Sequence, residues 1–178
     1  MNEDILNKTV IYMNTSNVNF YKNDAYDFYY DLLEPIKDAV YIKLMRSEVF
    51  LNPTGTINGK TIEDGDPVFI DLRDYNRIST NLGGNNIKCT DMILLNISEK
   101  FGSNPSPDKQ IAFKSDYTSM SCNPNDTNMI VLNPVEPNFK RFNIQLYDKS
   151  GQIISKTSLS KFTMIVCVYH KRRKATQF

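Results

Sequence analysis

Short runs of alternating apolar and polar residues dominate this chain of 178 residues. Alternation with a period of two places successive side chains on opposite faces of a β-strand. The clearest runs begin at Thr9, Tyr26, Val40, Val68 and Phe142. No stretch longer than about ten residues combines a helical period of 3.6 with a capping residue at its start. The pattern therefore predicts an all-β protein.

Turn-forming residues divide the chain into about eight strands, a number typical of a jelly roll or a Greek-key sandwich. Asp64-Gly65-Asp66-Pro67 and the Asn-rich segments supply this turn chemistry. The length suits one domain. We interpret residues 1–178 as a single eight-stranded antiparallel jelly-roll sandwich. Residues 102–138, which are rich in Pro, Asn and Ser, are predicted to form a long loop excursion.

Two details of the strands can be predicted. The strand over residues 26–33 is expected to end at Pro35, since proline lacks the N–H that a ladder requires. In the next strand Val40, Ile42 and Leu44 share one parity, whereas Val49 and Leu51 have the other. An extra residue in one strand would explain this slip, so we predict a β-bulge near Arg46 and Ser47.

Charge and cysteine content exclude several classes of protein. The formal net charge of +1 gives no overall field that would steer the chain to nucleic acid or membrane. The three cysteines, Cys89, Cys122 and Cys167, are too widely spaced for a zinc or redox motif, which favours free thiols in a reducing compartment. The acidic N-terminus lacks the apolar core of a secretory signal. We expect a soluble protein made in the cytosol.

Residues with catalytic chemistry are few. His170 is the only histidine, and its place beside a basic segment is a poor one for a catalytic triad. Two carboxylates across a cleft could serve a glycosidase. The nearest candidates, Asp64 with Asp66 and Asp71 with Asp74, are better explained as a turn and a solvated strand edge. We therefore expect no enzymatic activity, no bound metal and no cofactor.

The last strand, residues 162–169, is apolar on both faces. One face can pack in the core. The other face carries Ile165, Cys167 and Tyr169 and needs a second cover, which is either a loop of the same chain or a neighbouring subunit. These three residues are candidates for a subunit interface.

Tyr29, Tyr41 and Tyr147 lie on outward faces of predicted strands and are further candidates for that interface. Aromatic side chains dominate interface energetics, although scattered surface tyrosines are also common.

A basic cluster, Lys171, Arg172, Arg173 and Lys174, begins the C-terminal tail at residues 171–178. Such a cluster is most often a solvated tail. It can also contact nucleic acid, an acidic neighbour or an anionic membrane.

Three stretches of the sequence resemble the small single jelly-roll capsid proteins of nucleocytoplasmic large DNA viruses and virophages, especially their penton, or vertex, proteins. Residues 9–17 are similar to a first strand that ends in an Asn-Ser turn. Residues 26–36 and 40–48 look like the strand pair that follows. Residues 133–151 resemble the proline-bearing loop, strand and Asp-x-x-Gly turn that precede the final strand of that fold.

The resemblance implies a structural role in the icosahedral capsid of a double-stranded DNA virus. A single jelly roll of this length would form homopentamers at the five-fold vertices, or act as a minor or cement protein between capsomers. Its partners would be its own copies and the neighbouring major and minor capsid proteins. It would be made in the host cytoplasm and located in the virion, with the basic tail facing the genome or an internal membrane. A glycan-binding β-sandwich module is the alternative from another class.

Overall fold

A computed structural model describes residues 6–51, 55–63, 65–75, 78–82, 85–96, 112–118 and 129–172. The described residues contain no helix, and their strands pair antiparallel, which confirms the all-β prediction for this part of the chain. They accordingly offer no helix of the length and apolarity needed to cross a membrane. The strands are β1 (Leu6–Asn14), β2 (Asn19–Phe20), β3 (Asp27–Leu51), β4 (Thr56–Ile57), β5 (Lys60–Thr61), β6 (Pro67–Leu72), β7 (Ile78–Leu82), β8 (Asn85–Cys89), β9 (Asp91–Asn96), β10 (Ala112–Thr118), β11 (Met129–Tyr147) and β12 (Leu159–Lys171).

The main sheet has the strand order β1-β12-β3-β10-β9-β6-β11, with β2 also paired to β3. Because β11 pairs with β3 as well, the path of paired strands returns to β3 and the sheet curls into a half-barrel. β4 with β5 and β7 with β8 form two separate two-stranded sheets. This architecture agrees with an antiparallel β-sandwich, while the eight-stranded jelly-roll topology stays a prediction.

Strand β3 extends over 25 residues and does not end at Pro35 as the sequence predicted. Asp31 pairs with Arg141 and Ile36 pairs with Phe139, so four residues of β3 stand opposite Lys140 alone. Pro35 lies in this irregular segment, where its missing N–H costs no ladder bond. The strand therefore continues past the proline.

The predicted bulge is confirmed, close to the expected position. Ile165 of β12 pairs with Arg46 and Val166 pairs with Leu44, which leaves Met45 as the extra residue. Leu44 before the bulge and Ser47 after it are both buried. Because the bulge adds one residue, the even-numbered Leu44 and the odd-numbered Ser47 can both direct their side chains to the core.

The long loop excursion predicted over residues 102–138 is wrong in part. Residues 112–118 form β10, and β11 begins at Met129. Ile130 and Leu132 of β11 are buried and stabilise this part of the strand. Asn133 and Pro134, which suggested a loop, lie in an irregular segment of β11 between Val131 and Glu136. Residues 102–111 and 119–128 lie outside the described residues.

Aromatic side chains hold the concave side of the sheet together. The rings of Phe28 and Phe162 have centroids 6.0 Å apart, and those of Phe139 and Phe142 lie 4.7 Å apart. All four side chains are buried in the main core cluster. The Phe28–Phe162 contact joins β3 to β12, whereas the Phe139–Phe142 contact lies within β11. Burying one such side chain contributes roughly 1.5–3 kcal/mol to stability.

A buried carboxylate fastens the β4–β5 hairpin to the turn that follows β11. Asp148 Oδ1 accepts hydrogen bonds from the Ser150 N–H, the Ser150 hydroxyl and the Gln152 N–H. Its Oδ2 accepts from Asn58 Nδ2 at 2.8 Å and lies 3.3 Å from Lys60 Nζ. Burial by itself would raise the pKa of the Asp148 carboxyl, but these hydrogen bonds lower it overall. The carboxylate is therefore held in its charged form.

Candidate interaction surface

Three strands at one end of the main sheet present a common outward face, which we call the outer β1–β12–β3 face. Its cross-strand rows follow from the register of the two pairings. The rows are Lys8, Tyr169 and Tyr41; Val10, Cys167 and Lys43; and Tyr12, Ile165 and Arg46. The opposite faces of β1 and β12 point into the core, since Ile11, Met13, Val166 and Val168 are buried.

Exposure on this face is highest along β1 and lowest in the middle of β12. Val10 is 67% exposed, Tyr12 47%, and Met45 at the β3 bulge 52%. Cys167 and Tyr169 are only 3% and 5% exposed. A partner would consequently meet Val10, Tyr12 and Met45 before it met the centre of β12.

The sequence predicted that the second face of the last strand needs a cover, and neighbouring strands supply part of it. The Lys8 ammonium lies 5.3 Å from the centroid of the Tyr169 ring. Burial raises the pKa of the Cys167 thiol, although Tyr169, Lys8 and Lys43 act in the opposite direction. Of the three interface candidates on β12, only Ile165 is half-buried rather than buried.

The three tyrosines predicted as interface anchors do not come together. Tyr41 lies on the outer β1–β12–β3 face, in the same row as Tyr169. Tyr147 lies on β11, where it packs against Phe69 and donates a hydrogen bond to Gln145 Oε1 at 2.6 Å. Tyr29 belongs to a separate group of side chains.

That group, which we call the tyrosine–arginine cluster, consists of Tyr21, Tyr29, Arg73 and Arg141. The two tyrosine rings have centroids 4.8 Å apart, and the Arg141 guanidinium lies 4.2 Å from the Tyr29 ring. Arg73 lies 5.1 Å from the Tyr21 ring. Bidentate hydrogen bonds to Asp31, at 2.6 and 3.0 Å, raise the pKa of Arg141. The cluster is a preorganised surface of the residue types that dominate interfaces.

Buried polar side chains form a row across β3, β11 and β6. Gln145 pairs with Asp27 on one side and with Asp71 on the other, and all three side chains are buried. Arg73 Nη2 lies 2.8 Å from Asp27 Oδ1. Asp74, which the sequence placed beside Asp71 as a carboxylate pair, is exposed and accepts a hydrogen bond from Asn143.

The basic end of the chain continues β12 before the described residues end. His170 and Lys171 are part of the strand, so the strand includes Lys171, the first residue of the predicted tail. They line a cleft of about 430 Å³ together with Thr9 and Lys37. His170 Nε2 lies 3.2 Å from the Thr9 hydroxyl. Lys171 and Arg172 are exposed, and Arg173 and Lys174 lie outside the described residues.

No protein-family model matches the sequence, and no curated protein resembles it at a significant level. Two surfaces of the described residues are suited to recognition: the outer β1–β12–β3 face and the tyrosine–arginine cluster.

Proposed function

We propose that this chain is a structural capsid protein, a single jelly-roll penton that forms homopentamers at the five-fold vertices of an icosahedral double-stranded DNA virus. The observation that supports an assembly role is the pair of exposed apolar side chains that follow one another along β1 on the outer β1–β12–β3 face, Val10 and Tyr12, which we call the apolar row. Exposed apolar groups that adjoin one another mark protein–protein contacts. The capsid itself is inferred from the sequence resemblance.

A ring of five copies needs a heterologous interface, in which one patch meets a different patch of the next subunit. The outer β1–β12–β3 face would supply the first patch. The tyrosine–arginine cluster would supply the second, because tyrosine and arginine are the residues most enriched at energetic hot spots. Lys8 and Lys43 border the apolar row, where charged groups contribute to orientation and association rate more than to affinity.

The same surfaces would serve a minor or cement protein between capsomers, with neighbouring capsid proteins as partners. In either position the chain would be a component of the virion and would carry out no catalysis. Contact of Lys171 to Lys174 with the genome or with an internal membrane belongs to this proposal as well.

Assembly can be tested by mass photometry of the purified full chain. We expect Tyr12→Asp to weaken ring formation, because it places a charge in the apolar row. Leu33→Asp is the matched control, since Leu33 is fully exposed and lies on the irregular segment of β3, outside the three cross-strand rows of that face. Equal assembly of the two variants would contradict the role given to this face.

The tyrosine–arginine cluster also favours a second candidate function, that of a glycan-binding β-sandwich module. Half-exposed aromatic rings beside the Asn143 amide and the Asp31 carboxylate offer the stacking and hydrogen-bonding groups that sugars need. Binding of glycans by a monomer that never assembles would favour this function over the first. Tyr29→Ala would then abolish binding without changing the mass.

A further inference from the structure

Strand β1 forms an open edge of the main sheet. Among the described residues it pairs with β12 only, in a continuous register of nine residue pairs from Leu6 to Asn14. Natural edge strands are usually protected by proline, by a bulge, by short length or by several charges. β1 has no proline and no register shift, and Lys8 is its one charged residue. It therefore retains the geometry that accepts another strand.

The hydrogen bonds around β1 establish which peptide groups face this edge. Thr15 N donates to Phe162 O at 3.1 Å, which fixes the phase of the antiparallel ladder. Thr9, Ile11 and Met13 share this phase and direct their N–H and C=O groups to β12. The peptide groups of the even-numbered residues consequently point away from β12, toward the open edge.

Asn17 caps one end of the edge, which limits the segment that a further strand can use. Its side-chain Nδ2 donates to Tyr12 O at 3.2 Å, and its Oδ1 accepts from Asn14 N at 2.7 Å. The uncapped groups are the N–H and C=O of Leu6, Lys8 and Val10, and the N–H of Tyr12.

We propose that β1 pairs antiparallel with β1 of a second copy of this chain, with Val10 on the two-fold axis. Its nine-residue edge is continuous and free of register shifts, so pairing β1 with itself supplies partners to the peptide groups of both copies at once. Antiparallel pairing of identical strands requires a two-fold axis. This contact adds to the five-fold interface proposed above and does not depend on it.

The side chains of β1 are complementary to one another in this register. Val10 faces Val10 of the second copy, and Lys8 faces Tyr12 of the second copy. Each ammonium therefore meets an aromatic ring, an attractive cation–π arrangement, and no two lysines stand opposite each other. A register shifted toward the C-terminus would require the Asn14 N–H to bond to the second copy, and this N–H already donates to Asn17 Oδ1.

Residue-resolved amide exchange of the full chain, measured by NMR at low and high protein concentration, tests the edge pairing. At low concentration we expect slow exchange at Thr9, Ile11 and Met13 and fast exchange at Val10 and Tyr12. At high concentration both sets should exchange slowly. Fast exchange at Val10 at every concentration would overturn the proposal.

A charge exchange tests the register itself. Tyr12→Lys should weaken dimerisation about tenfold or more, because the two-fold axis repeats the unfavourable lysine pair. Adding Lys8→Glu to that variant should restore dimerisation, since residues 8 and 12 oppose each other only between copies. Within one strand they are four residues apart, which is roughly 13 Å. Failure of the double variant to regain dimerisation would overturn the register.

Val10→Pro separates the edge pairing from a folding defect. The Val10 N–H points to the open edge, so proline removes the donor on the axis without breaking a bond to β12. We expect a folded protein with no two-fold dimer. Dimers that persist in this variant would contradict the edge pairing. Wild-type dimers without five-chain rings would overturn the proposed function alone.

Discussion

Replacing Asp148 with alanine removes the carboxylate that joins the β4–β5 hairpin to the turn after β11. The change leaves the donors of Ser150 and Gln152 without their acceptor. Asn58 Nδ2 and Lys60 Nζ each lose one acceptor, although Asn58 Nδ2 keeps Ile153 O and Lys60 Nζ keeps Ser150 Oγ and Gln152 Oε1. The Asp148 side chain is 2% exposed, so little water reaches the site in the folded protein. Its loss therefore tests how strongly this network stabilises the fold.

The expected cost can be worked out from these contacts. A hydrogen bond to an ionised group contributes about 1.5–3 kcal/mol, and removing one partner of a buried ion pair costs about 3–5 kcal/mol. Lys60 is 39% exposed and regains hydration after the substitution, which lowers the total. We expect Asp148→Ala to reduce the free energy of unfolding by about 3 kcal/mol, a large part of the total for a domain of this size.

Urea unfolding followed by circular dichroism measures this change directly. The midpoint should fall while the slope with urea stays constant, because the unfolded surface is unchanged. Asp31→Ala is the matched control, since the Asp31–Arg141 pair is about half exposed on both sides and should cost only about 0–1 kcal/mol. Equal effects of the two substitutions would refute the reasoning.

The pKa of Asp148 adds a dependence on pH with a defined sign. Its carboxyl has a pKa below the ordinary value of 3.8 in the folded protein. The stabilisation is thus fully present above about pH 5 and is lost as pH falls below 3.8 and through the folded value. The difference in stability between the wild type and Asp148→Asn should shrink in that window. A difference that stays constant down to pH 3 would show that the charge contributes nothing.

Three further predictions follow from the fold. Deleting Met45 should leave a cooperatively folded protein in thermal unfolding, since this residue is the extra one in the bulge, and loss of the cooperative transition would contradict that role. Burial raises the pKa of Tyr26 to about 12, so its ultraviolet titration should lag behind that of exposed tyrosines, and stability should fall above pH 10, by at most about 1.4 kcal/mol per pH unit. Cys167 should react with iodoacetamide far more slowly in the folded chain than in urea, as measured by peptide mass spectrometry.

The sequence was sufficient for the fold class because alternation is a local property. The parity change between Leu44 and Val49 even located the β-bulge, since only an extra residue keeps both side chains in the core. Pro35 was misread because a sequence reveals the missing N–H but not whether a strand needs that N–H at this point. The composition of residues 102–138 was misleading for a similar reason, as a strand can place prolines in its irregular segments.

The candidate interface was harder to predict because it depends on which strands become neighbours. Cys167 and Tyr169 were chosen because both faces of their strand are apolar, yet the flanking strands bury them. Val10 and Tyr12 belong to an ordinary alternating run, and nothing local distinguishes an edge strand from a central one. Their exposure follows from the position of β1 at the end of the strand order.

The mass of the purified full chain in solution is the most direct test of the proposed capsid role. Mass photometry over a range of protein concentrations should reveal particles of five times the 20.5 kDa chain mass, which Tyr12→Asp removes and Leu33→Asp leaves in place. A wild-type protein that remains monomeric at every concentration would contradict the account.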